Sequence, residues 1–212
     1  MPRQPLLVGQ PVLVVVDMQR GYDATNDVGI EIMPGTADRI TKAEQILAAA
    51  RSAGVPVVFF QEVHRPSGID FGRELEGAEG VHCLDGNPGT ELVPSLVPQG
   101  DEFHIVKRRY SGFIGTEFDI VLRALRAETL VLIGGLTDVC VHYTFADAHQ
   151  RDFHVRVVSD CVGGSSVARH TASLDAMEYL QGGAVRTTDE IVAAFTEFGP
   201  RVPARTLLEV GR

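Results

Sequence analysis

Cysteine is scarce in this sequence: Cys83, Cys140 and Cys161 are an odd number at irregular spacing. That excludes a disulfide-stapled scaffold and points to a reduced, cytoplasmic protein whose thiols are chemical or buried. Net basic charge is lacking too. With 19 Lys and Arg against 28 Asp and Glu the formal charge is -9, whereas a nucleic-acid partner would need clustered cations to neutralise phosphates. No apolar run approaches a membrane span, and "MPRQPLLVGQP" holds nothing that reads as a signal peptide, so no membrane association is expected. Internal repeats, low-complexity tracts and interdomain linkers are missing as well. What remains is ordinary for a soluble globular chain: 212 residues, 44% apolar and 22% charged. That length suits one domain, residues 1–212, with a substantial core.

"PVLVVVDMQ" is a short, β-branched apolar run, the pattern of a strand covered on both faces, and it ends at Asp17. Residues 36–53 set Ile40, Ala43, Leu47 and Ala50 on one helical face, with Thr36 as N-cap and Gly54 as stop. "VPVVFFQE" reads as a second strand and "DEFHIVKRR" as a shorter third one ending near Lys107. A helix is expected over 116–127 with Ile120, Val121 and Leu125 as its stripe. Strands at "TLVLIGG" and "HVRVVSD" alternate with helices at 138–151 and 166–180, and "GAVRTT" reads as an edge strand before a last helix at "DEIVAAFTEF". This alternation predicts an α/β fold of three layers, α/β/α, around a mostly parallel six-stranded sheet. The stretch 62–102 breaks the rhythm and reads as a long ordered loop with a functional role.

In open parallel sheets, ligands collect outside the carboxyl ends of the strands. Asp17, Lys107 and Cys140 each stand at or just past such an end. With Thr137 as N-cap, Cys140 is the third helical residue, where free N–H groups and the helix dipole lower a thiol pKa. Asp17 would then move protons and Lys107 would hold the thiolate. The bland alternative is that each residue is structural: a buried small hydrophobe, a helix cap and a solvated ammonium.

The segments "VLVVVDMQRGY", "HIVKRRYSGFIGTEFDIVL" and "LIGGLTDVCVHYTFADAHQRDFHVRVVSDCVGG" resemble the isochorismatase-like cysteine hydrolase superfamily from about residue 10 to 190. That superfamily includes nicotinamidases, N-carbamoylsarcosine amidases, and biuret and ureidoacrylate hydrolases. The resemblance implies a catalytic triad of Asp17, Lys107 and Cys140, and a cis peptide from Gly135 to Leu136. It further implies an oxyanion hole from the N–H groups of Leu136 and Cys140. The implied reaction is hydrolysis of an amide C–N bond through an acyl- or carbamoyl-cysteine, with no redox or nucleotide cofactor required. Relatives commonly form dimers or tetramers, so a homo-oligomer is expected, with "GPRVPARTLLEVGR" either packing across a subunit or staying loose.

Nicotinamidases carry an Asp-x-His and a later His that bind a divalent metal. The matching positions here are Glu62, His64 and His82, a donor set that suits zinc, iron or manganese; Glu62 is one methylene longer than Asp and is also a candidate for binding substrate nitrogen. The sequence has no Trp, which removes an aromatic wall expected around a pyridine ring. Arg65, Asp70, Arg73 and Glu74 either read a small polar molecule or are solvated. Gln181 stands where biuret hydrolases show Gln-Gly-Gly and is a candidate for a ureide carbonyl. Tyr110, Phe113 and Tyr143 are candidate pocket walls. The favoured substrate is a small linear amide or ureide such as biuret, triuret or an N-carbamoyl compound. Vinyl-ether cleavage, a nicotinamidase-like activity and a non-catalytic binding module are the alternatives.

Overall fold

The computed structural model describes residues 5–22 and 30–199. Six strands form one sheet: β1 (Gln10–Val16), β2 (Val57–Glu62), β3 (Phe103–Lys107), β4 (Ala127–Gly135), β5 (His154–Gly163) and β6 (Val185–Arg186), in the order β3-β2-β1-β4-β5-β6. Every pairing is parallel. The helices are α1 (Thr36–Ser52), α2 (Phe118–Ala124), α3 (His142–His149), α4 (Val167–Leu180) and α5 (Thr188–Phe198). This is the expected three-layer α/β/α arrangement, and no described helix is long and apolar enough to cross a membrane.

The two faces of β1 show why the run "VLVVV" had to be apolar throughout. Leu13 and Val15 pack with Ala43, Leu47, Ile191 and Phe195 of α1 and α5. Val12, Val14 and Val16 pack on the other side with Phe118, Phe145 and Met177 of α2, α3 and α4. Both clusters are buried, and each large side chain in them carries about 1.5–3 kcal/mol of apolar burial. Because the chain leaves β1 toward β2 on one side and later returns through β4 on the other, the strand order reverses at β1. A crevice therefore opens at the carboxyl ends of β1 and β4.

Local details depart from the sequence reading. The residue capping α1 is Gly35, at φ 97, with Thr36 already helical; the Thr36 hydroxyl instead accepts from Arg39 Nη2 at 3.0 Å. Ile40 is only half-buried, and Ile46 takes its place in the core. In α2 the buried face is Phe118, Val121 and Leu122, while Ile120 is 70% exposed. Phe118 sets that rotation, since its ring meets Phe60 edge-on and also Phe113, each at 4.7 Å. The loop from 62 to 102 is ordered around two short 3-10 turns, Arg73–Glu76 and Pro88–Thr90, and a bridge pairing His64 with Leu84. The C-terminal residues 200–212 lie outside the described residues.

Candidate active site

Four strands deliver side chains to one point. Asp17 follows β1 with a left-handed backbone (φ 48), an uncommon conformation for a non-glycine residue and one often found at functional sites. Glu62 and Lys107 end β2 and β3 and are direct register partners in the parallel ladder. Cys140 lies in the tight turn after β4. At Gly134 (φ 108) a Cβ would come within 2.0 Å of the Val16 carbonyl oxygen, so only glycine lets β4 pass this close to β1. The peptide joining Gly135 to Leu136 is cis.

Lys107 is the hub. Its Nζ lies 2.8 Å from Asp17 Oδ2, 2.8 Å from Glu62 Oε2 and 3.3 Å from Cys140 Sγ, and it donates to the Arg109 carbonyl at 3.1 Å. Its side chain is wholly buried. Burial opposes the ammonium, but Asp17, Cys140 and Glu62 around it hold its pKa well above the usual lysine range. Glu62 also feels burial, yet Lys107, His64 and His82 outweigh it and keep its carboxyl well below the ordinary value. Asp17 goes the other way: burial, with the Glu62 charge adding to it, pushes its carboxyl up despite Lys107. Its Oδ1 has no hydrogen-bond partner.

Cys140 corrects one expectation outright. The turn Thr137–Val141 has i→i+5 bonding, with Val141 N–H donating to the Leu136 carbonyl at 3.0 Å, and α3 proper begins only at His142. Thr137 is not the cap; its hydroxyl pairs with His170 Nδ1 at 2.9 Å. Nor is the thiol's pKa lowered. Burial pushes it well above the usual value, and the Asp17 and Glu62 carboxylates add to burial while Lys107 opposes.

A second cluster abuts the first. His64 Nε2 and His82 Nε2 each lie 3.2 Å from Glu62 Oε1, and all three residues are buried. His82 Nδ1 is 2.7 Å from the Gly80 carbonyl oxygen, which requires a proton on that nitrogen. Burial opposes the charged ring, but Glu62 and the Gly80 carbonyl outweigh it and raise the His82 pKa, with Nε2 facing the Glu62 oxygen. His64 stacks on Phe71 at 3.9 Å, which fixes its ring plane.

Asp17, Glu62, His82, Tyr110 and Cys140 line a narrow cavity of about 30 Å³, together with Leu136 and Glu79. It shares Ile30, Glu79, Tyr110 and Val139 with a wider vestibule of about 270 Å³. Together they stand near the low end of small-molecule sites.

Residues 11–190 match the isochorismatase domain family. The chain belongs to that family. It is 30% identical to the ureidoacrylate amidohydrolase RutB of Pseudomonas syringae pv. syringae, across 90% of this chain and 86% of that protein. A RutB of Methylorubrum extorquens is 32% identical, across 91% and 86%. Among solved structures, a cysteine hydrolase from Pseudomonas syringae pv. phaseolicola superposes with a TM-score of 0.82 at 28% identity, covering 93% of this chain and 99% of that one. N-carbamoylsarcosine amidase from Thermoplasma acidophilum gives 0.70 at 30% identity, covering 85% and 98%.

Several candidate residues from the sequence lie elsewhere. Gln181 follows α4, and its Oε1 accepts from Val155 N–H at 2.8 Å, at the opening of β5 and so at the far end of the sheet from the crevice. Phe113 belongs to the core, with its ring 4.7 Å from Phe118 and the Arg151 guanidinium 4.5 Å over it. Tyr143 is 52% exposed, lines neither cavity and packs beside Tyr110, with ring centroids 5.6 Å apart. Arg65 is exposed and lines neither cavity. Asp70 is taken by Arg108 Nε at 2.8 Å, and Arg73 pairs in solvent with Glu76.

Two contributors escaped the sequence reading. Gln19 clamps the end of β2, donating from Nε2 to the carbonyls of Glu62 at 3.0 Å and Thr90 at 2.7 Å, and accepting from Glu62 N–H at 3.1 Å. A glutamine two residues past a strand end is the signal that was available. The other is Glu79, which nothing local marks out.

Proposed function

We propose that this chain is a cysteine-dependent amidohydrolase that cleaves a C–N bond of a small linear amide or ureide, of biuret, triuret or N-carbamoyl type. The observation that carries this reading is Lys107 Nζ in simultaneous contact with Cys140 Sγ and the carboxylates of Asp17 and Glu62. Asp17, its carboxyl already pushed up by burial, takes the thiol proton as the sulfur attacks the substrate carbonyl. Lys107 stays charged and offsets the thiolate. The oxyanion is received by the N–H groups of Leu136 and Cys140, fixed donors that need no reorganisation. Collapse breaks the C–N bond, and Asp17 gives its proton to the departing nitrogen, leaving an acyl- or carbamoyl-cysteine. Water then attacks the thioester with Asp17 as base, which releases the acid and restores the thiol. No redox or nucleotide cofactor enters.

Glu62, His64 and His82 would hold a divalent metal such as zinc, iron or manganese. Two imidazole Nε2 atoms directed at one carboxylate oxygen are a fitting donor set. A bound cation would supply Lewis acidity beside the cavity, and no step above depends on it. A homo-oligomer, dimer or tetramer, is part of the same reading; exposed Tyr179 and Leu180 at the end of α4 support it, and sedimentation equilibrium tests it. The three cysteines, all free and buried, support a reduced, cytoplasmic setting.

The deciding experiment is ammonia release from biuret, triuret and N-carbamoyl amino acids, together with mass-spectrometric trapping by a carbonyl electrophile. Wild type should turn over and carry an adduct on Cys140, and Cys140→Ala should lose both. Ammonia release retained in Cys140→Ala would refute the nucleophilic role given to the thiol.

A further inference from the structure

Resting on the amidohydrolase reading, we infer that the end of the substrate remote from the scissile carbonyl bears N–H donors and no negative charge, and that Glu79 is the residue that reads it. The inner cavity is too small for more than the reacting group, so the rest of the molecule must lie in the vestibule. Glu79 stands on the wall common to both. It is half-buried, and no hydrogen bond or ion pair engages its carboxylate among the described residues. Burial pushes its carboxyl up, His82 opposes, and the charges of Glu62, Glu74 and Asp138 add to the push. A carboxylate held in such surroundings is stabilised by any donor placed against it and repels another anion.

The vestibule as a whole carries the same sign. Among the described residues, Glu31, Glu74, Glu79 and Asp138 line it against a single cation, Arg169. Arg169 is exposed and already donates to the Ser165 hydroxyl at 3.2 Å. Glu74 accepts from Gly72 N–H at 3.0 Å, and Asp138 accepts from Ser165 N–H at 2.8 Å, whereas Glu79 is the vestibule carboxylate that also lines the inner cavity. Deeper in, the buried carboxyl of Asp17 also lines the inner cavity, so the acidic lining continues inward to the reacting thiol. The RutB relatives are named for ureidoacrylate, whose acrylate end is an anion. This acidic channel disfavours such an end.

The test uses three carbamoylated probes of similar length: N-(3-aminopropyl)urea, with a cationic end; biuret, with a neutral N–H-rich end; and N-carbamoyl-β-alanine, with a carboxylate end. In wild type, kcat/KM should be at least tenfold higher for the cationic and neutral probes than for the carboxylate. Added salt should lower the value for the cation, as screening of opposite charges requires. Glu79→Gln should cut the cation-to-carboxylate ratio at least tenfold. A wild type that prefers the carboxylate probe overturns the inference while the amidohydrolase reading stands. A ratio unchanged in Glu79→Gln removes Glu79 from the assignment. Ammonia from none of these probes, nor from the wider amide panel, overturns the underlying reading instead.

Discussion

Replacing Lys107 by methionine removes one charge and little volume, and the geometry allows its effect to be sized. The ammonium lies 3.3 Å from the sulfur. At an effective dielectric of about 20, that separation favours the thiolate by about 5 kcal/mol. Its loss would push the thiol pKa up further and make the thiolate harder to form by a factor of about 10³–10⁴. One of the two carboxylates released from Lys107 will take up a proton and return part of the loss, so kcat/KM should fall about 10³-fold. The same substitution leaves Asp17 and Glu62 buried without their cation, which costs about 3–5 kcal/mol of stability. Activity must therefore be expressed per folded molecule, with circular dichroism and a urea titration on the same sample. Cysteine alkylation followed against pH should show the reactive form appearing at higher pH than in wild type. A folded Lys107→Met enzyme within tenfold of wild-type kcat/KM would refute the role given to the ammonium.

Two more predictions concern the neighbouring cluster. The folded-state pKa of Glu62 is depressed below its ordinary 4.5. Its ionic contribution to stability is therefore complete above about that pH and is lost as pH falls through the lowered folded value. The stability gap between wild type and Glu62→Gln, from urea midpoints between pH 3 and pH 6, should shrink toward acid; a gap constant with pH would contradict the depressed value. For the metal, plasma emission analysis should find about one zinc, iron or manganese per wild-type chain and almost none in His82→Ala. Equal content in the two proteins would remove His82 from the ligand set.

Much of this architecture was legible in the chain. Continuous β-branched runs announced strands covered on both faces, and their ends singled out Asp17, Lys107 and Cys140 because a strand end is a local event in composition. What could not be read is information that arises only on pairing. Nothing between residues 62 and 107 says that Glu62 and Lys107 are register partners, yet this contact makes Glu62 part of the ionic centre. The acidity of Cys140 was misjudged for a related reason: position in a turn is local, whereas the two carboxylates beside the sulfur come from other strands. Gln181 shows the limit of motif likeness, since the same Gln-Gly-Gly serves to hold Val155 at the opposite rim. In α2 the periodicity turned Ile120 inward, and the ring of Phe60 on β2 chose Phe118 instead.

Because Asp17, Glu62, Lys107 and Cys140 arrive from the ends of four separate strands, no fragment short of residues 17–140 can own the whole machinery. A shift of one position in the β2–β3 ladder would turn Glu62 or Lys107 toward the opposite face. Hydrolytic competence must therefore appear only once the whole central sheet has locked into alignment, so that turnover during refolding would time the last pairing event rather than the first collapse.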